Sequence, residues 1–174
     1  MNLVAAAPLW LLLVLAAAMV AAAIEDAVRL RISNITSLLV FVGAVAAAFV
    51  AGPSWSLWQN AAVFVAILTL GTIAFSAGWL GGGDVKLFAA AGTWFDLRSA
   101  LWFLALVFLS GGLVAVGYSI SRRFRLRPHA GLAHSRVPYG IAIAVGALIM
   151  ILADGRAFRQ HQQPQSPLRH VTVG

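Results

Sequence analysis

The sequence predicts an all-α, polytopic membrane protein, a bundle of about six transmembrane helices. Two observations predict it. Hydrophobic residues make up 61% of the 174 and charged residues only 10%, against about 25% charged in ordinary soluble domains. Such a chain lacks the side chains to cover a water-facing surface. The apolar residues also fall in long runs with short polar or glycine-rich breaks, and about 20 apolar residues cross a hydrocarbon core of about 30 Å.

The first run spans residues 3–24. No positive residue precedes it, and its 22 apolar residues exceed the h-region of a signal peptide, so it reads as a retained helix. The second run covers about 37–52 and the third about 60–80. The fourth begins near Asp84 and ends at Phe95. Its twelve residues would rise only about 18 Å, so it is too short to cross alone. It follows Gly81, Gly82 and Gly83, a break that membrane depth tolerates only against protein or a wet cavity. The fifth run covers about 99–120 and the sixth about 137–153. Short connections predict that sequence neighbours pack antiparallel. The transmembrane unit is expected over 1–154. The Gln- and Pro-rich segment 155–174 is expected to be a disordered tail, having little to bury.

Charge assigns the sides. With the Arg29/Arg31 turn in the cytoplasm, alternation also places Lys86, Arg122, Arg123, Arg125, Arg127 and Arg136 there, eight basic residues in all. Arg98, Arg156, Arg159 and Arg169 fall outside, and eight against four satisfies the positive-inside rule. The net charge of +7 therefore reads as topology and attraction to anionic lipid headgroups, with no nucleic-acid partner. No cysteine is present, which excludes disulfides, thiolate nucleophiles and Cys-based metal sites. His129, His134, His161 and His170 lie in polar segments without metal-ligand spacing. No metal and no cofactor is expected.

The chain has five acids: Glu25, Asp26, Asp84, Asp96 and Asp154. An acid near membrane depth is expensive and is a functional hypothesis by default. Asp96 and Asp154 have Arg98 and Arg156 two residues away and read as interfacial charges. Asp84 could simply cap the helix that follows it. Glu25 and Asp26 could both pair with Arg29 on a helix end. Yet alternation puts Asp26 and Asp84, 58 positions apart, on the same face. Two nearby carboxylates share a proton, so one can act as base on a water while the other polarises a carbonyl. The glycines before Asp84 would let a substrate backbone approach. Lys86, about 200° around the helix from Asp84, is expected to snorkel to the headgroups.

The string GGGDVKL (Gly81 to Leu87) resembles the Gly-x-Gly-Asp-x-Lys-Leu motif of type IV prepilin peptidases. DAVRLRISN (Asp26 to Asn34) resembles that family's other motif, an Asp followed after a basic stretch by Ile-Pro-Asn, and its register selects Asp26 over Glu25. PYG (Pro138 to Gly140) resembles the element opening the family's last core helix. Ser33 departs from the pattern, standing where the family usually has Pro. The resemblance covers roughly residues 3–153. It implies a bacterial inner-membrane aspartyl peptidase that removes the leader of a prepilin or pseudopilin at the cytoplasmic face. Asp26 and Asp84 would be catalytic, with Gly81, Gly83, Lys86 and Asn34 as motif residues along the substrate approach. The size is similar to the short form serving Flp/Tad-type pili, which implies peptidase activity without methylation. The sequence assigns no particular prepilin and no oligomeric state. A non-enzymatic transporter or assembly component, using the same acids for ion or proton coupling, is the alternative, although no internal repeat supports it.

Overall fold

The structure, a computed structural model, describes residues 1–124 and 139–161. Among these residues it is helical without a strand: α1 (Leu3–Ala6), α2 (Leu9–Arg29), α3 (Asn34–Ala51), α4 (Leu57–Ser76), α5 (Gly82–Gly92), α6 (Leu97–Phe124) and α7 (Tyr139–His161). Arg125, Arg127 and Arg136 of the basic segment, together with His129, His134, Pro138 and His170, lie outside the described residues.

Among the described residues four helices are long and apolar enough to cross a membrane: α2, α3, α4 and the Leu97–Gly117 part of α6. The apolar part of α7, Tyr139–Asp154, is shorter. These helices turn large apolar side chains outward, among them Phe49 at 82% exposure and Phe108 at 73%. Water would not tolerate such a surface, whereas lipid is its proper solvent. The chain is a membrane protein with a helical-bundle fold.

Several boundaries differ from the sequence expectation, among them the ends of α4 at Ser76 and of α5 at Gly92. The first apolar run is broken at Pro8, whose ring lacks an N–H and ends α1 before α2 begins. The short α1 tucks inward, with Leu3 and Val4 each 1% exposed. The fourth run starts two residues earlier than expected, at Gly82. At the other end of the chain, α7 continues past Asp154 to His161, so 155–161 of the expected tail are helical. Residues 162–174 lie outside the described residues.

The helix order in space also departs from simple neighbour packing. Although joined by a short connection, α3 and α4 pack mainly on α5, which sits between them and also meets α7. A cavity of about 550 Å³, lined by Phe41, Ala44, Phe49, Leu57 and Phe64 among others, remains where α3 and α4 stay apart. The central place of α5 explains its burial: Leu87 and Ala89 are fully enclosed, and Ala90 and Ala91 nearly so. Small residues make the close approach possible. A Cβ on Gly71 of α4 would lie 2.8 Å from Val85, and one on Gly92 of α5 would lie 2.5 Å from Ile67. Gly92→Leu is therefore expected to lower stability by about 1–3 kcal/mol through overpacking. Thermal unfolding in detergent checks this, and an unchanged melting temperature would contradict the packing account.

At eleven residues, α5 rises only about 17 Å. Its last carbonyls and the following turn would be unsatisfied in lipid. The protein supplies the donors. Leu3 N–H donates to the Trp94 carbonyl at 2.9 Å. Asn60 Nδ2 of α4 donates to the carbonyls of Thr93 at 3.0 Å and Phe95 at 3.2 Å. Trp94 Nε1 reaches the Val40 carbonyl of α3 at 3.0 Å. Phe95 and Phe103 close the layer against α6, ring centroids 4.9 Å apart.

Candidate active site

The polar contacts sort to the two ends of the bundle. One end holds Asp96, Asp154 and Asn60. Asp96 caps α6, accepting the Ser99 N–H at 2.9 Å. Asp154 accepts from Asn2 Nδ2 at 2.6 Å, tying α7 to the start of the chain. Both acids thus have structural partners. Asp96→Ala is expected to cost about 1 kcal/mol as a lost cap. Because it lies at the end away from Asp26 and Asp84, catalytic activity should stay within about twofold. Melting temperature and activity measured together separate the two effects.

At the other end meet the C-terminus of α2 and the N-termini of α3, α5 and α7. Asp26 lies one turn before the end of α2 and is 3% exposed. Its Oδ2 accepts the Ile141 N–H at 3.3 Å, so the carboxylate faces the first turn of α7, where backbone donors have no helical partner. Gly140 allows this approach. A Cβ there would lie 2.8 Å from Asp26 Oδ2, 2.9 Å from Asp26 Cβ and 2.7 Å from Ile32 Cδ1.

Asp84 is the third residue of α5 rather than its cap. Its Oδ2 reaches back to accept the Gly81 N–H at 3.1 Å, a reciprocal contact typical of that helix position. Gly81 lies so close that a Cβ would stand 2.6 Å from the same oxygen. Each aspartate therefore sits at a helix N-terminus, Asp26 at that of α7 and Asp84 at that of its own helix. The positive ends of both helix dipoles face the acids.

Ile32 joins the two halves. A Cβ on Gly83 would be 3.0 Å from the Ile32 carbonyl oxygen and 3.2 Å from its Cβ. The tip of the same side chain packs on Gly140, against Asp26. The turn carrying Ile32 is shaped by two backbone features. Leu30 ends α2 in the left-handed region at φ 50° and ψ 32°, a conformation that costs a residue with a Cβ about 1–2 kcal/mol. Ser33 caps α3 at φ −66°, the angle a proline would impose. Its N–H, which proline lacks, donates to Glu25 Oε2 at 2.8 Å. The Glu25 carboxylate also accepts the Thr36 hydroxyl at 3.1 Å. Glu25 is thus committed to holding the turn, and the expected pairing with Arg29 is replaced by these bonds.

The motif residues named from sequence gather here. Gly81, Gly83, Asp84 and Lys86 occupy the start of α5, and Asn34 opens α3. Lys86 does not simply snorkel: its Nζ donates to Asn34 Oδ1 at 2.9 Å, clamping α5 to α3. Sequence reasoning missed Ile32, the Ile141 N–H and the Glu25–Ser33 bond. It quoted Gly140 only as part of a likeness. The signal that could have found Gly140 is a glycine in the first turn of a helix entering the acid-bearing end. Among the described residues no group of His, Asp and Glu side chains has the geometry to hold a metal ion.

No curated protein and no solved structure matches the chain. The model of the type IV leader peptidase family matches residues 13–116, more than half of its length. That stretch contains Asp26, Asn34, Gly81, Gly83, Asp84 and Lys86, and it stops short of α7. The chain belongs to the type IV leader peptidase family and is a peptidase of the membrane.

Proposed function

We propose that this protein is an aspartyl endopeptidase that removes the leader of prepilin-like substrates at the cytoplasmic face, with Asp26 and Asp84 as its catalytic pair. The observation that carries the proposal is the meeting of α2, α5 and α7 ends around these two acids, bridged by Ile32. Glu25 holds the α2–α3 turn, and Asp96 and Asp154 lie at the opposite end of the bundle. The excess of basic residues that alternation along the sequence assigns to this side supports its cytoplasmic placement.

The dyad holds one proton between two carboxyl groups. The ionised carboxylate takes a proton from water as the oxygen attacks the scissile carbonyl carbon. The protonated carboxyl donates a hydrogen bond to the carbonyl oxygen as charge develops there. Collapse of the tetrahedral intermediate breaks the C–N bond, and a carboxyl proton passes to the leaving amine. Two helix N-termini aimed at the site favour this negative charge.

The test uses a full-length prepilin in membranes bearing either the wild-type chain or the double variant D26N/D84N. The expected result is a mature N-terminus, read by mass, in the wild-type membranes alone. Intact prepilin in both, or equal cleavage in both, overturns the proposal.

A further inference from the structure

Ile32 belongs to the buried apolar core at the acid-bearing end of the bundle. It is 8% exposed, yet it belongs to a turn rather than to a helix. Its main chain rests on Gly83, the residue before Asp84, and its Cδ1 rests on Gly140 beside Asp26. One residue thus lies on the path from Gly83, next to Asp84, to Gly140, beside Asp26. A peptide whose scissile bond is to be reached by both carboxyl groups must enter that path. The α2–α3 turn also carries backbone strain. Leu30 holds it through a left-handed backbone that costs a residue with a Cβ about 1–2 kcal/mol, and strain of this kind clusters in segments that switch.

We infer that Ile32 fills the substrate's place in the resting enzyme, and that an extended peptide segment enters by displacing it, with the α2–α3 turn moving as a lid about Leu30. This rests on the peptidase reading above and deepens it. The bonds from Glu25 to Ser33 and Thr36 hold the far side of the turn, so displacement is confined to residues 30–32. Gly83, uncovered by the movement, then offers a surface without a Cβ to the incoming backbone. Binding carries the cost of opening, so the apparent affinity for substrate is reduced by the fraction of molecules that are closed. Ile32 is therefore a positioning residue whose effect falls on KM.

Two experiments with the full chain read this. In the first, Ile32→Ala is expected to lower KM for a prepilin about threefold to tenfold with kcat within about twofold, as a smaller closing tax requires. Ile32→Leu should restore the wild-type KM. A KM unchanged or raised in Ile32→Ala overturns the lid. The second does not depend on cleavage. The sequence contains no cysteine, so Ile32→Cys places the sole thiol in the lid. In an Asp84→Asn background, adding a synthetic peptide covering a prepilin leader and cleavage site should raise maleimide labelling of that thiol at least threefold, as expected for a side chain leaving a buried place. Labelling that is constant or reduced overturns the lid, including when Ile32→Ala fails to fold. A wild-type chain that leaves prepilin intact defeats the peptidase reading. A wild-type chain that cleaves it, with KM and labelling unmoved, defeats the lid alone.

Discussion

Asp26→Asn and Asp84→Asn are each expected to reduce leader cleavage by at least about a thousandfold, with the protein still folded in the membrane. Each change keeps the side-chain volume and removes the ability to take or give the proton on which water attack depends. Structural losses should be small because the amide keeps an oxygen acceptor. In Asp26→Asn that oxygen still accepts the Ile141 N–H, and in Asp84→Asn it still accepts the Gly81 N–H. Melting temperature in detergent should therefore move by only a few degrees while activity vanishes. Residual cleavage above about a tenth of wild type in either variant would remove that residue from the dyad.

The second large effect is expected from Gly140→Ala, a residue outside the segment matched by the family model. An added methyl would meet Ile32 Cδ1 at 2.7 Å, Asp26 Oδ2 at 2.8 Å and Asp26 Cβ at 2.9 Å. The Ile32 tip can swing away, but Asp26 Cβ is fixed to the α2 backbone. Either α7 retreats from α2 or the carboxylate leaves the Ile141 N–H. Overpacking of this kind costs about 1–3 kcal/mol. A reacting carboxylate displaced by about an ångström can lose about a hundredfold in rate. Gly140→Ala should therefore lose far more activity than stability, measured as prepilin cleavage against melting temperature. Activity within about threefold of wild type would show that α7 does not set the position of Asp26.

A large part of the fold was legible in the sequence. Runs of apolar residues were separated by short breaks, so the order of the main helices followed from periodicity and length, while the split of the first run at Pro8 did not. Placing Asp26 and Asp84 at one end required only counting crossings. What escaped was contact between segments distant in sequence. Nothing near position 60 announces that Asn60 satisfies carbonyls at 93 and 95, since the need arises from a helix too short to reach the far side. Ser33 looked like a weaker proline. In place, it keeps the proline-like φ and adds an N–H that Glu25 uses.

By itself the sequence determined that this is an apolar helical bundle with Asp26 and Asp84 at one end, because composition and spacing act through local rules of burial and backbone hydrogen bonding. Only the tertiary structure decided that α5 lies between α3 and α4, that α7 brings Ile141 to Asp26, and that Ile32 packs between Gly83 and Gly140. The physical reason is close packing. Where a missing Cβ lets two backbones approach, the partner is fixed by shape, and shape is a property of all the helices together.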